Sequence, residues 1–198
     1  MATLLLARHG ETDWNAATRR QGFTGPGLNA RGRQQAEELA DRLSGTALTA
    51  VYSSDAGRAV QTADAVASRR GLVVSQDDRL REINFGEWEG LTRTEVDARY
   101  SGAWSKWSAC KLARPPGGES DLEVAERVIE ALFEIGGRHG PDEQLLIVTS
   151  GGPIRAAQAH ANGVDQALAR LHFRRPENCE VVEFSIDASG LIAKPTKT

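Results

Sequence analysis

The stretch Leu4-Leu5-Leu6-Ala7-Arg8-His9-Gly10-Glu11-Thr12 carries a short apolar run that ends abruptly on a cation, an imidazole and a glycine. A run of this length without polar alternation suits a strand buried on both faces. In open parallel sheets, ligands bind just outside the carboxyl ends of the strands. Arg8 and His9 therefore fall where a ligand is held, and Gly10 allows a sharp exit. An imidazole at that place attacks phosphorus if one ring nitrogen is unprotonated and the other is held by a backbone acceptor. Arg8 offers a permanent charge and a planar fork suited to phosphate oxygens. Taken alone the tripeptide is weak, because a strand-end Arg and His more often form a surface ion pair.

Working outward, apolar runs of the same kind occupy residues 47–52, 72–74, 145–149 and 181–184, with helical stretches at 30–43 (after an Asn29 cap), 57–70, 122–135 and 154–161. This alternation predicts an α/β fold, a three-layer α/β/α sandwich with a mostly parallel central sheet. Thr92 with Glu95 and Ser120 with Glu123 are capping-box pairs, so helices are expected to begin there. Residues 84–118 break the alternation; with Trp88, Trp104, Trp107 and the run Pro115-Pro116-Gly117-Gly118 they read as an insertion capping the active site. Trp104 and Trp107 either line the pocket or belong to the core. The chain of 198 residues is expected to form one domain, since single cores stay efficient to roughly 250 residues, with residues 187–198 a loosely ordered tail.

Hydrophobic residues make up 40% and charged residues 26%, the profile of a folded soluble protein. A formal net charge of −3 provides no basic field for nucleic acid or an anionic membrane surface, so neither is an expected partner. Any bound anion needs a local cluster. Cys110 and Cys179 lack metal-ligand spacing and read as free thiols in a reducing compartment, so a cytoplasmic protein without a bound metal or cofactor is expected. The opening residues lack the basic start of a signal peptide, and no stretch is long enough to span a membrane.

A second strand end leads into Ser53-Ser54-Asp55-Ala56-Gly57-Arg58-Ala59-Val60-Gln61-Thr62-Ala63. Asp55 is placed to cap a helix, and Arg58 falls in its first turn, where positive charge is mildly destabilising. A bound anion would offset that misfit. After the third strand comes Leu80-Arg81-Glu82-Ile83-Asn84-Phe85-Gly86-Glu87-Trp88-Glu89-Gly90, with three carboxylates that residue chemistry alone does not rank.

In these stretches the chain resembles the histidine phosphatase superfamily, of phosphoglycerate mutase-like fold. Residues 8–15 conform to its opening pattern Arg-His-Gly-Glu/Gln-Thr/Ser-x-x-Asn, and Gln21-Gly22 and Leu28 follow. The patterns Ser-Ser-x-x-x-Arg-Ala-x-Gln-Thr-Ala and Leu-x-Glu-x-x-x-Gly-x-Trp-x-Gly recur at 53–63 and 80–90. The resemblance, which spans roughly residues 4–155, implies metal-independent hydrolysis of a phosphate monoester through a phosphohistidine. His9 is the implied nucleophile and Glu82 the acid that protonates the leaving oxygen. Arg8, Asn15, Gln21, Gly22, Arg58, Ser150 and Gly151 are implied around the phosphate. A positioned acid is worth about 10²- to 10⁴-fold.

One position departs. The strand at 145–149 ends in Ser150-Gly151-Gly152-Pro153-Ile154-Arg155, where most relatives read His-Gly-Gly with the histidine facing the nucleophile. A serine carries no charge, and loss of one transition-state donor costs about 2.7–4 kcal/mol, roughly 10²- to 10³-fold in rate. Arg8, Arg58 and the Gly151 and Gly152 amides are the expected compensation. His139, His160 and His172 lie outside the motifs and read as structural. A slow but competent enzyme, a binder of phosphorylated ligands without turnover (a pseudophosphatase) and a deliberately altered sequence stay open. Against a phosphoglycerate mutase-type phosphotransferase, the stretch 109–118 offers only Lys111 and Arg114 where such enzymes carry a long basic insertion. The run Pro115-Pro116-Gly117-Gly118-Glu119-Ser120 resembles α-ribazole and broad-specificity phosphatases. The implied partner is a small phosphorylated metabolite, and the family tendency implies a homodimer.

Overall fold

β1 (Ala2–Arg8) forms on the opening apolar run, and its period of two explains why that run carries no polar position. Leu4 and Leu6 enter one apolar cluster with Leu145, Ile147 and Phe184; Leu5 and Ala7 enter another with Val51, Leu146 and Val148. Both faces are covered, so a polar side chain at any of these positions would lose its water. The computed structural model describes residues 1–187 and 190–193. Within them β1, β2 (Leu48–Ser53), β3 (Val74–Gln76), β4 (Gln144–Thr149), β5 (Val181–Asp187) and β6 (Gly190–Ala193) make one sheet in the order β3-β2-β4-β1-β5-β6. β1 is parallel to β4, and β2 is parallel to both β3 and β4. β5 runs antiparallel to β1 and β6. This is the expected sandwich with a mostly parallel sheet.

The helices are α1 (Asp13–Ala16), α2 (Ala30–Arg42), α3 (Gly57–Ala67), α4 (Arg93–Arg99), α5 (Ala103–Ser108), α6 (Asp121–Gly137), α7 (Gly151–Ala161) and α8 (Ala169–His172). α2 and α3 cover one face through Leu39, Ala59, Ala63 and Val66; α6 and α7 cover the other through Val128, Leu132, Ile135 and Ile154. Leu39 and Leu132 are completely buried, so truncating either to Ala costs about 2–5 kcal/mol. Asn29 caps α2 by accepting from Gly32 N at 2.8 Å. Both capping boxes close reciprocally, at Thr92 with Glu95 and at Ser120 with Glu123. No helix among the described residues is long and apolar enough to cross a membrane.

Four local expectations are corrected. Asp55 does not cap α3, whose N-cap is Ala56; its carboxylate instead accepts from Arg81 Nε at 2.6 Å. α7 starts at Gly151 rather than at residue 154, because Pro153 sits in the first turn, where its missing N–H costs nothing. β3 starts at Val74 rather than at residue 72, since the Leu72 amide is spent closing α3 on Ala67 O at 3.1 Å. The tail expected to be loose pairs in part: Gly190 to Ala193 lie against Asp187 to Phe184, and Leu191 is buried in the core. The rest of that stretch, residues 188–189 and 194–198, lies outside the described residues.

Residues 84–118 share the main core through Phe85, Trp88, Val96 and Trp107. Trp88 is completely buried, with the rings of Tyr100, Trp104 and Trp107 centred 6.2–6.3 Å away. The segment is stitched at its base by Glu119 N to Asn84 O at 2.9 Å and Glu87 N to Pro116 O at 3.0 Å.

Candidate active site

β1 hands directly to the first site residue, because His9 N donates to Thr149 O at 2.9 Å and so extends the pairing with β4. The turn out of the strand is walled by backbone. A Cβ on Gly10 would stand 2.5 Å from Gly32 O, so no other residue fits. The Gly10 amide is taken by Thr62 Oγ1 at 3.0 Å, which ties the turn to α3.

His9 is buried, and its partners determine its tautomer. Gly10 O, 2.7 Å from Nδ1, only accepts, and Arg58 Nε, 3.3 Å from Nε2, only donates. The proton therefore resides on Nδ1, and Nε2 presents its lone pair. Burial first, then the Arg58 and Arg8 charges, hold the pKa of His9 well below the ordinary 6.5. The imidazole is thus kept neutral among cations.

Those cations are anchored on neutral groups. Arg8 Nη1 donates to Pro176 O at 2.8 Å, and burial followed by the Arg175 charge lowers its pKa to about 9. Arg58 Nη2 donates to Gly22 O at 2.6 Å, and burial lowers its pKa as well. Neither guanidinium has a carboxylate at ion-pair distance among the described residues, so their charge is available to an anion. Asn15 and Gln21 lie in one net: Gln21 Oε1 accepts from Thr12 Oγ1 at 2.7 Å and from Asn15 Nδ2 at 3.3 Å. Asn178 Nδ2 donates to His9 O at 2.8 Å and to Asn15 Oδ1 at 3.2 Å.

Glu82 is buried, and its Oε1 accepts from Ile83 N and Gly152 N, each at 2.9 Å. A Cβ on Gly152 would stand 2.1 Å from that oxygen, so only glycine lets the carboxylate seat at the start of α7. The Gly152 amide, expected to serve the phosphate, is therefore spent on Glu82. Arg127 fixes the backbone behind it, donating to Glu82 O at 2.9 Å and to Arg79 O and Arg81 O at 2.7 Å while paired with Glu119. The two competing carboxylates have structural partners: Glu87 accepts from Tyr100 Oη at 3.0 Å, and Glu89 accepts from Phe23 N, Thr24 N and the Thr24 hydroxyl. Of the three, Glu82 is the one that lines the cavity beside Gln21.

Ser150 is the N-cap residue of α7 and is 1% exposed, yet its hydroxyl caps nothing and has no partner among the described residues. Two of the other histidines, His139 and His160, have partners elsewhere. His139 Nε2 meets Tyr52 Oη at 2.9 Å and its Nδ1 lies 3.2 Å from Glu143, and His160 sets its ring edge-on to Phe133.

Beside Glu82 and Gln21 opens a cavity of about 280 Å³. Phe85, Trp104 and Trp107 form its aromatic side, with Ser108 beside them, so both tryptophans line it and Trp107 also belongs to the core. Its other wall consists of Arg19, Arg20, Arg155, Arg170 and Arg175. Sequence reading missed these arginines and Asn178. The signals were present but unremarkable: Arg155 ends the quoted Ser150–Arg155 stretch, Arg20 precedes Gln21-Gly22, and Arg174-Arg175 precedes Pro176. Arg175 keeps surface open to the cavity although protein atoms crowd it, and this crowding depresses its pKa.

A model of the histidine phosphatase superfamily (branch 1) matches residues 4–194. Over 167 residues the chain is 38% identical to a glucosyl-3-phosphoglycerate phosphatase of Mycolicibacterium vanbaalenii, covering 81% of this chain and 74% of that protein. It is 40% identical over 137 residues to a probable phosphoglycerate mutase of Escherichia fergusonii, covering 67% of this chain and 62% of that one. The solved structure of Bacillus stearothermophilus YhfR superposes with a TM-score of 0.90 at 35% identity, over 98% of this chain and 95% of the other. Fold, ordered motifs and these likenesses agree that the chain belongs to the histidine phosphatase superfamily.

Proposed function

We propose that this protein hydrolyses monoesters of small phosphorylated metabolites, without a metal ion, through a phosphohistidine on His9. The observation that carries this reading is the tautomer: a buried, neutral imidazole whose Nε2 lone pair lies among uncompensated arginines. Arg8, Arg58 and Asn15 hold the phosphoryl oxygens, with Gln21, Gly22 and Gly151 shaping the pocket. As the bond from Nε2 to phosphorus forms and the ester P–O bond breaks, Glu82 passes a proton to the leaving oxygen. The hydrogen bonds on Oε1 leave Oε2 as the oxygen that carries that proton. Water then attacks the phosphohistidine and returns a proton to Glu82, freeing phosphate and the imidazole. The guanidinium groups do the charge work that a metal ion does elsewhere.

Hydrolysis is favoured over phosphotransfer between metabolites because Arg114, one of the two basic residues of 109–118, is paired with Glu123 at 3.1 Å. The unpartnered Ser150 hydroxyl favours one other reading, a binder of phosphorylated ligands that lacks turnover. Incubation with an aryl phosphate in the absence of divalent ions, beside a Ser150→His variant, separates the two. Hydrolysis by the native chain, with a phosphorylated His9 trapped by acid quench and absent from His9→Ala, supports the enzyme. Turnover only in the variant supports the binder, and an inert pair overturns the pocket itself.

A further inference from the structure

Of the five arginines on the cavity wall, two are neutralised: Arg19 by Glu95 at 2.9 Å, and Arg170, whose guanidinium lies over the Trp107 ring, by Asp121. Arg20, Arg155 and Arg175 have no carboxylate at ion-pair distance among the described residues. They come from three separate segments: the loop after α1, helix α7 and the loop before β5. The one carboxylate in the lining is Glu82. Other arginines have partners, either carboxylates, as with Arg79 and Asp77, Arg81 and Asp55, and Arg127 and Glu119, or backbone carbonyls, as with Arg33, Arg42 and Arg70. Three unpaired guanidinium groups facing one small space repel one another. Arg155 and Arg175 both lower the pKa of Arg20, and Arg155 lowers that of Arg175. A transferred phosphoryl group carries about two negative charges, which Arg8 and Arg58 already match, so among the described residues of the lining the three remaining cations face the single carboxylate Glu82.

We propose that Arg20, Arg155 and Arg175 form a second anion subsite, which takes a carboxylate or phosphate that the substrate carries away from the phosphoryl group attacked by His9. This inference rests on the hydrolase reading above and narrows its substrate class to compact phosphate monoesters with a second oxyanion. The volume agrees, because about 280 Å³ lies at the low end of the roughly 300–1,000 Å³ of small-ligand sites and excludes a folded protein chain. Trp104 is a positioning residue: the Arg20 guanidinium lies 4.4 Å over its ring and donates to Thr18 O at 2.9 Å, which fixes the fork before a ligand arrives.

The test uses three matched series of increasing chain length: ω-phosphooxy carboxylates, bisphosphates and plain alkyl phosphates. At one length or more, a second anion raises kcat/KM about 10- to 100-fold over the alkyl phosphate. Arg155→Gln and Arg20→Gln bring that ratio toward one, while Arg155→Lys keeps part of it. The ratio is read within each protein, so a general loss of activity does not imitate the effect. Whether carboxylates or bisphosphates gain more identifies the anion. Equal kcat/KM across the series, or a preference that survives both Gln variants, overturns the subsite while leaving the hydrolase intact. If no ester is turned over, the hydrolase reading fails on its own. The same compounds are then titrated against the fluorescence of the cavity tryptophans, and Kd values that ignore the second anion overturn the subsite.

Discussion

Arg58 Nε donates to His9 Nε2 across 3.3 Å, so the guanidinium assigned to a phosphate oxygen rests on the lone pair assigned to attack phosphorus. Under the proposed mechanism, an arriving oxyanion competes for that N–H and, in taking it, uncovers the His9 lone pair. Until then the bond and its counterpart from Nδ1 to Gly10 O keep the ring aimed.

This pairing has a pH signature. The folded pKa of His9 lies well below 6.5, so between that value and 6.5 the unfolded chain binds a proton that the fold refuses. Stability contributed by neutral His9 is therefore complete above about pH 6.5 and declines as pH falls below it, by about 1.4 kcal/mol per unit. Denaturant melts across that range should show a steeper acid loss for the native chain than for His9→Asn. Superimposable pH profiles would remove the claim that the imidazole is held neutral.

Gly152→Ala separates catalysis from folding. Placing alanine for glycine in a helix normally helps by up to about 1 kcal/mol, but here the new methyl would lie 2.1 Å from Glu82 Oε1. Displacing the acid should lower kcat by about 10²-fold or more while the melting temperature changes by only a few degrees. Unchanged turnover would mean that Glu82 does not act from this seat.

Arg127→Met should lower both stability and turnover. The side chain leaves three carbonyls and Glu119 without their donor in a half-buried place, a loss of about 2–3 kcal/mol. Because one of those carbonyls belongs to Glu82, kcat should fall more than KM rises. A stability loss below about 0.5 kcal/mol would show the clamp to be incidental.

Ser150→Ala should be neutral or stabilising by up to about 1 kcal/mol, because a buried hydroxyl without a partner costs stability. If that hydroxyl donates to bound phosphate, kcat/KM falls; if it does not, activity is unchanged. A clear destabilisation would reveal a partner for the hydroxyl.

What the sequence disclosed and what it hid follow one distinction. β1 was legible because a strand covered on both faces needs an unbroken apolar run, and the helix starts at Thr92 and Ser120 because a capping box closes within four residues. Asp55 looked like a cap on the same local logic and was misread, since its partner Arg81 lies 26 residues away. The last strand escaped because a short polar-flanked segment signals little until Leu191 finds the core. In the site, Arg8, His9, Arg58 and Glu82 sit inside contiguous motifs. Arg20, Arg155 and Arg175 meet only through folding, and no spacing rule links residues from three distant segments. The Gly152 amide was assigned to phosphate because a free helix start invites an anion; the anion it receives is the protein's own carboxylate.

The backbone contact of Gly10 with Gly32 behind His9 has a practical corollary for anyone wishing to retarget the protein. A wall without side chains offers no handle for adjustment, so the reactive end resists gradual change, whereas the tryptophan and arginine lining opposite is made of replaceable parts. Libraries confined to residues 104, 108 and 155 would sample new cargo while leaving the backbone wall behind His9 untouched.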